Sequence, residues 1–179
     1  MPTTKTITVY AWNELSEKAK DNARYKYFSN DYFWKDEYLD TLKKALDFFN
    51  ASYDSVSWEN ISHDLTFHHD SEVLELKGAR LFAYINNNYA NIPNKDRSFL
   101  LDQNCYFTGY CGDEDFLDPL RAFMSRPSSD ITYKDLIESC VESLLKAMRA
   151  DYEYQISDEG LSETCEANEY QFDAQGRIV

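Results

Sequence analysis

The stretch YKDLIESCVESLLKAMRADY, residues 133–152, constrains the fold more than any other part of the chain. Tyr133, Ile137, Cys140, Val141, Leu144, Met148 and Tyr152 recur at the three- and four-residue steps that bring side chains onto one helical face. A long helix with one apolar stripe owes its stability to burying that stripe, so the rest of the chain must supply a surface for it. Thr132 and Asp135 stand at capping-box spacing and mark where the helix begins, although Asp is a weaker partner there than Glu or Gln.

The other elements are read from the same periodicities. A second broad stripe, Trp34, Tyr38, Leu42, Ala45, Leu46 and Phe49, predicts another helix, with Lys43, Lys44 and Asp47 off the stripe. Together the two stripes nominate Trp34, Leu42, Phe49, Ile137, Leu144 and Met148 as core. Ser16 is a candidate cap for a helix in which Ala19, Ala23 and Tyr27 recur every four residues, with Leu15 packing back on its first turns. TKTITVYAW, residues 4–12, alternates and predicts an opening strand. SVSWENI, HDLTFHH and EVLELK predict short strands, with His69-Asp70-Ser71 as a turn. Residues 78–88 fit strand or helix, and two turns of helix is the preferred assignment. NNNYANIPNKD is a loop by composition. Asp118-Pro119 resembles a cap followed by proline at the first helical position. A short acidic helix is expected over 158–167, followed by alternating Tyr170 and Phe172 and a turn at Ala174-Gln175-Gly176. The expectation is an α+β fold, a single domain over 1–179 in which short antiparallel strands pack with several amphipathic helices.

Charge is unevenly placed. The formal net charge is −14, which opposes direct contact with nucleic acid phosphates. Residues 1–50 carry eight acids and eight bases, whereas residues 151–179 carry eight acids and only Arg177. That last segment is therefore −7, half of the total. No apolar run reaches the length of a membrane span. The first residues, MPTTKTITVY, lack the apolar stretch of a signal peptide. Four irregularly spaced cysteines do not form a secreted disulfide framework, so a reducing cytoplasm is expected.

Two stretches invite a reading as chemistry. In CYFTGYCGDEDF, residues 105–116, a continuous strand would hold Cys105 and Cys111 roughly 20 Å apart, beyond disulfide reach. A zinc site would need a second ligand pair, which Cys140 on an apolar helix face and the isolated Cys165 do not offer. Asp113, Glu114 and Asp115 lack calcium-loop spacing and are expected near a helix start. In HDLTFHHD, an extended chain puts His63 and His69 with Leu65 and Phe67, and His68 with Asp64 on the other side. Three ligands do not converge that way, and an Asp64–His68 contact is the best acid/base pair available. Gly-rich phosphate loops, G-x-S-x-G and H-E-x-x-H are absent from the sequence. No cofactor, no metal and no catalysis are expected.

The acidic end carries the functional expectation. Leu161 and Cys165 form a buried stripe on the 158–167 helix, which sets Glu159, Glu163 and Glu166 within about 60° of one another on the opposite side. Asp151, Glu153 and Glu169 back them. Stacked carboxylates repel and do little for stability, but they suit a basic groove on a partner protein.

ELSEKAKDNAR near the start, FTGYCGDEDFLDPL in the middle and EANEYQFDAQGR near the end resemble a family of small proteins encoded by phages and prophages, often labelled hypothetical or antitoxin-like. The resemblance covers most of the chain and carries no catalytic residue. It implies a virus-encoded accessory protein acting in the host cytoplasm. Joined to the charge polarity, it leads to the expectation of a non-catalytic inhibitor that binds a host nucleic-acid-handling or defence protein, as a nucleic-acid decoy. An antitoxin or regulatory binding module is the alternative, and an enzyme built on the His63–Asp70 region, with or without a metal, ranks last.

Overall fold

The computed structural model describes residues 8–29, 34–90 and 106–179. Among them are seven α-helices and one two-stranded antiparallel sheet, an α+β fold. The chain divides into two compact units, residues 34–149 and residues 1–33 with 150–179.

The larger unit opens with α2, Lys35–Phe48, numbered after the α1 of the smaller unit described below. Its stripe is buried at Tyr38, Leu42, Ala45 and Leu46, and Phe49 is buried just beyond the helix end. Trp34 departs from the expectation and is 48% exposed. It precedes the first helical residue, so its side chain does not follow the helix phase, and it stacks on Tyr110 instead. Asn50 ends the helix in a left-handed conformation, a role asparagine tolerates, and its carbonyl accepts from the His68 N–H. The hairpin follows: β1, Ala51–Ser57, pairs with β2, Ser62–Phe67, with a register shift between Tyr53 and Ser55.

EVLELK is not a strand. Asp70 precedes a one-turn helix, α3, Ser71–Leu74, in which the neighbouring Val73 and Leu74 are both half-buried rather than alternating. Residues 78–85 are helical as α4, Gly78–Ile85, which continues into a π-helical turn, Asn86–Ala90. α5, Gly112–Ser125, begins seven residues before Pro119, so proline lies inside the helix and not at its start. Its first turn holds Asp113, Glu114 and Asp115, as a helix dipole favours.

α6, Tyr133–Gln155, contributes residues 133–149 to this unit. The reciprocal bonds of its capping box are both made: the Asp135 N–H donates to Thr132 Oγ1 at 3.0 Å and the Thr132 N–H to Asp135 Oδ2 at 3.0 Å. These bonds hold the Asp135 carboxyl below the ordinary carboxylate range. Ile137, Cys140, Val141, Leu144 and Met148 are fully buried. Each such side chain contributes about 1.5–3 kcal/mol of burial.

The smaller unit is built on Trp12, Leu15, Ala19, Ala23, Phe28, Leu161, Cys165 and Phe172, which form one buried cluster. Residues 4–7 of the expected first strand lie outside the described residues. Its remainder is a single bridge, Tyr10 with Phe172, followed by a 3-10 turn, Trp12–Glu14. α1, Glu17–Ala23, is capped by Ser16, whose hydroxyl accepts from the Ala19 N–H, and a π-helical turn, Arg24–Phe28, continues it. The small side chains of Ala19 and Ala23 are buried. α7, Asp158–Ala167, is capped by Ser157, which accepts from the Gly160 N–H at 3.1 Å.

Candidate partner-binding face

α7 turns Leu161 and Cys165 into the cluster, and burial pushes the Cys165 thiol up to about 11. The opposite side of the same helix leaves Glu159, Glu163 and Glu166 exposed. Their positions, four and then three residues apart, keep them on one face. Glu153 on α6 and Glu169 just past α7 are also exposed, while Asp151 is half-buried.

Three bases of this unit, Lys20, Arg24 and Arg177, are engaged elsewhere. Asp158, at the start of α7, accepts from Lys20 Nζ at 3.1 Å and from Arg24 at 2.5 Å. Lys20 also pairs with Glu17, Arg24 with Asp21, and Arg177 with Asp173. Among the described residues no cation pairs with Glu159, Glu163, Glu166 or Glu169. The Tyr154 hydroxyl donates to Glu163 Oε2 at 2.9 Å. Its phenol is held above its ordinary range, first by that bond and then by burial and the charges of Glu163 and Glu159. One exposed hydroxyl therefore senses two of the three carboxylates.

Glu166 and Glu169 also border a groove of about 790 Å³ within the same unit. One wall is residues 9–14, with Glu14; the other comes from α7 and residues 169–171. Val9 and Tyr170, both more than a third exposed, are its apolar surface. Trp12 lines it too, and its indole N–H is the one buried side-chain donor or acceptor among the described residues that has no partner. Glu14 holds its wall in shape: its Oε2 accepts from the Ala11 N–H at 2.8 Å. Sequence reasoning had no means to place Glu14, Tyr170 and Trp12 beside the carboxylates of α7. Their one local signal is Glu14 three residues after Ala11, the place from which a side chain reaches back to an N-cap amide.

In the two stretches that invited a reading as chemistry, the described polar groups bond within the larger unit. Asp113 is fully buried and accepts from the N–H groups of Phe107 at 2.6 Å, Thr108 at 2.8 Å and Gly109 at 3.3 Å. Its other oxygen accepts from the hydroxyls of Thr108 at 2.8 Å and Thr41 at 3.0 Å. The FTGYC segment is thus a loop wrapped around one carboxyl group. Cys111 is exposed beside it, whereas Cys105 lies outside the described residues. Burial raises the Cys140 thiol far above its usual range. Among the described residues no group of three or more His, Cys, Asp or Glu side chains is arranged to hold a metal ion.

The histidines take three separate partners. His63 lies 4.0 Å from Glu142, and His68 bonds Ser52 Oγ at 3.1 Å and not Asp64. His69 Nε2 meets the Tyr89 hydroxyl at 3.1 Å; that hydroxyl meets Tyr133 at 3.1 Å, and Tyr133 donates to the Phe49 carbonyl at 2.7 Å. Because Tyr133 spends its proton on that carbonyl, Tyr89 donates to Tyr133 and His69 Nε2–H donates to Tyr89. Burial pushes the Tyr89 phenol up to about 12 and lowers His69, against the opposing influence of the Phe49 backbone and Asp70. A histidine lowered on folding favours the native state fully above its unfolded value of about 6.5. That stability is lost as pH falls through the lowered folded value. Thermal melts from neutral to mildly acidic pH should show the loss, and His69→Gln, which still donates to Tyr89, should flatten that limb.

No protein-family model, curated protein or solved structure matches the chain. No helix among the described residues is long and apolar enough to cross a membrane.

Proposed function

We propose that the chain is a non-catalytic, phage-encoded accessory protein that binds and inhibits a host nucleic-acid-handling or defence protein in the host cytoplasm, its carboxylates standing where phosphates would bind. The observation that carries this is the row Glu159, Glu163 and Glu166 on the exposed side of α7, paired with no cation among the described residues, next to an Asp158 that takes up both Lys20 and Arg24. Spare carboxylates on a rigid helix are a fixed negative surface. Along the helix axis they recur about every 5 Å, somewhat sparser than the ~3.4 Å per phosphate along one DNA strand. Such a surface steers a basic partner and weakens as salt rises.

The test is the triple variant Glu159→Gln, Glu163→Gln, Glu166→Gln. Shape and helix propensity barely change, so the melting temperature should hold or rise as repulsion is relieved. Affinity for the basic protein captured from an infected host should fall about tenfold or more at low salt, mainly through the on-rate. The salt dependence of the variant should be shallower than that of the wild type. Equal capture at low and high salt, unchanged by the triple substitution, would falsify the decoy mechanism. Capture of a small neutral toxin in place of a basic protein would favour the antitoxin alternative.

A further inference from the structure

The groove bordered by Glu14, Glu166 and Glu169 has more than charge. Carboxylates stand on both walls, Glu14 on one and Glu166 and Glu169 on the other, with Val9 and Tyr170 as exposed apolar surface in the same groove. Trp12, 2% exposed, contributes to the lining while its indole N–H lacks an acceptor. A pocket for a simple cation needs no apolar walls, and a purely apolar ligand gains nothing from three carboxylates.

We infer that this groove takes an extended basic segment of the partner protein, with an aliphatic side chain seated against Val9 and Tyr170 and Lys or Arg side chains reaching the carboxylates of both walls. The inference rests on the acidic-face reading and narrows it from a charged surface to a sequence-selective one. An extended chain suits the site because its side chains alternate in direction. Aliphatic residues seat against Val9 and Tyr170, and the long stems of Lys or Arg lie along the walls with their charged ends at the carboxylates.

The test uses the full chain with two short fluorescein-labelled peptides, one alternating Lys with Val and the other Lys with Gly. The Lys–Val peptide should bind about tenfold more tightly than its charge-matched control, the cost expected for losing one anchored side chain. Tyr170→Ser, Val9→Ser and the pair Glu166→Gln, Glu169→Gln should each weaken it by a similar factor. The pair Glu159→Gln, Glu163→Gln lies outside the groove and should change it about twofold or less, as screened charges at a distance do. In nitrogen–proton NMR spectra the Trp12 indole signal, assigned through Trp12→Phe, should move on binding together with the amides of residues 9–14 and 166–171. Equal binding of the two peptides, with equal weakening by both glutamate pairs, overturns the groove and leaves the acidic face standing. Peptide binding without movement of the Trp12 signal also overturns it, as does displacement of the Lys–Val peptide by spermidine at matched charge. If neither peptide binds while the captured basic protein still responds to the α7 glutamates, the groove fails and the decoy reading survives.

Discussion

Asp113→Ala is expected to destabilise the larger unit by about 3–5 kcal/mol, in the range for removing one partner from a buried charged network. The native carboxyl group is the shared acceptor for three backbone N–H groups and two threonine hydroxyls, at distances from 2.6 to 3.3 Å. Alanine removes the acceptor and leaves the donors. Each donor left buried and unmet costs about 1–3 kcal/mol, reduced where water enters or a hydroxyl turns away. The hydroxyls have such an escape, because Thr41 and Thr108 lie 3.0 Å apart and can bond one another. The amides of the half-buried Phe107 and Thr108 have less access to water than that of the exposed Gly109, and carry most of the cost. Asp113→Asn separates these contributions. Its amide oxygen can serve the three N–H groups while its NH₂ donates to hydroxyls that then act as acceptors, so Asn should cost clearly less than Ala. Chemical denaturation of wild type, Asn and Ala variants checks the order. Equal losses for Asn and Ala would show that the charge, and not the bonding pattern, holds the loop.

The same residue shows what sequence patterns reveal and what they leave out. Asp113 was placed correctly as an acid near a helix start, because that preference is local to the helix dipole. Its burial was not legible, since Thr41 is 72 positions away and only the folded chain brings it to the carboxyl group. α6 was legible from stripe and cap, and α7 from its stripe. Their apolar faces repeat within a few residues, and Thr132 and Asp135 signal the start of α6 chemically. Pro119 misled because an Asp-Pro pair looks like a helix start, while the real start lies at Gly112, where the loop around Asp113 ends. EVLELK misled because six residues are too few to separate a two-residue period from a single helical turn. The three outward carboxylates of α7 follow from its helix phase, so that part of the candidate face could be read directly. The groove could not, since its walls are joined across 149 positions by the Asn13 amide donating to Ser162 Oγ at 2.8 Å. No local pattern reports such a meeting.

Gly176→Ala is expected to destabilise the smaller unit by about 2–4 kcal/mol, from two causes acting at one atom. Gly176 has φ +78, in the left-handed region that costs a residue with a Cβ about 1 kcal/mol or more. A Cβ built there would lie 2.0 Å from the Ala19 carbonyl oxygen and 2.9 Å from its carbon. Both are backbone atoms of α1, so no rotamer change relieves the contact and either the turn or the helix must shift. Overpacking of this kind costs about 1–3 kcal/mol. The turn cannot move alone: the Gly176 N–H donates to the Asp173 carbonyl at 3.0 Å, and Phe172, one residue earlier, bonds Tyr10 in both directions at 2.8 and 2.9 Å. A displaced turn therefore disturbs residues 9–11, which form one wall of the groove. Melting temperature and Lys–Val peptide affinity should fall together in Gly176→Ala. Gly109→Ala is the control, because Gly109 has φ +86 but nothing within 4 Å of the added Cβ. It should show the backbone cost alone, and peptide affinity should be unchanged. Equal destabilisation by the two substitutions would mean that α1 yields to the new methyl group without resistance. Loss of stability in Gly176→Ala with full peptide affinity would show that the groove wall is held independently of the C-terminal turn.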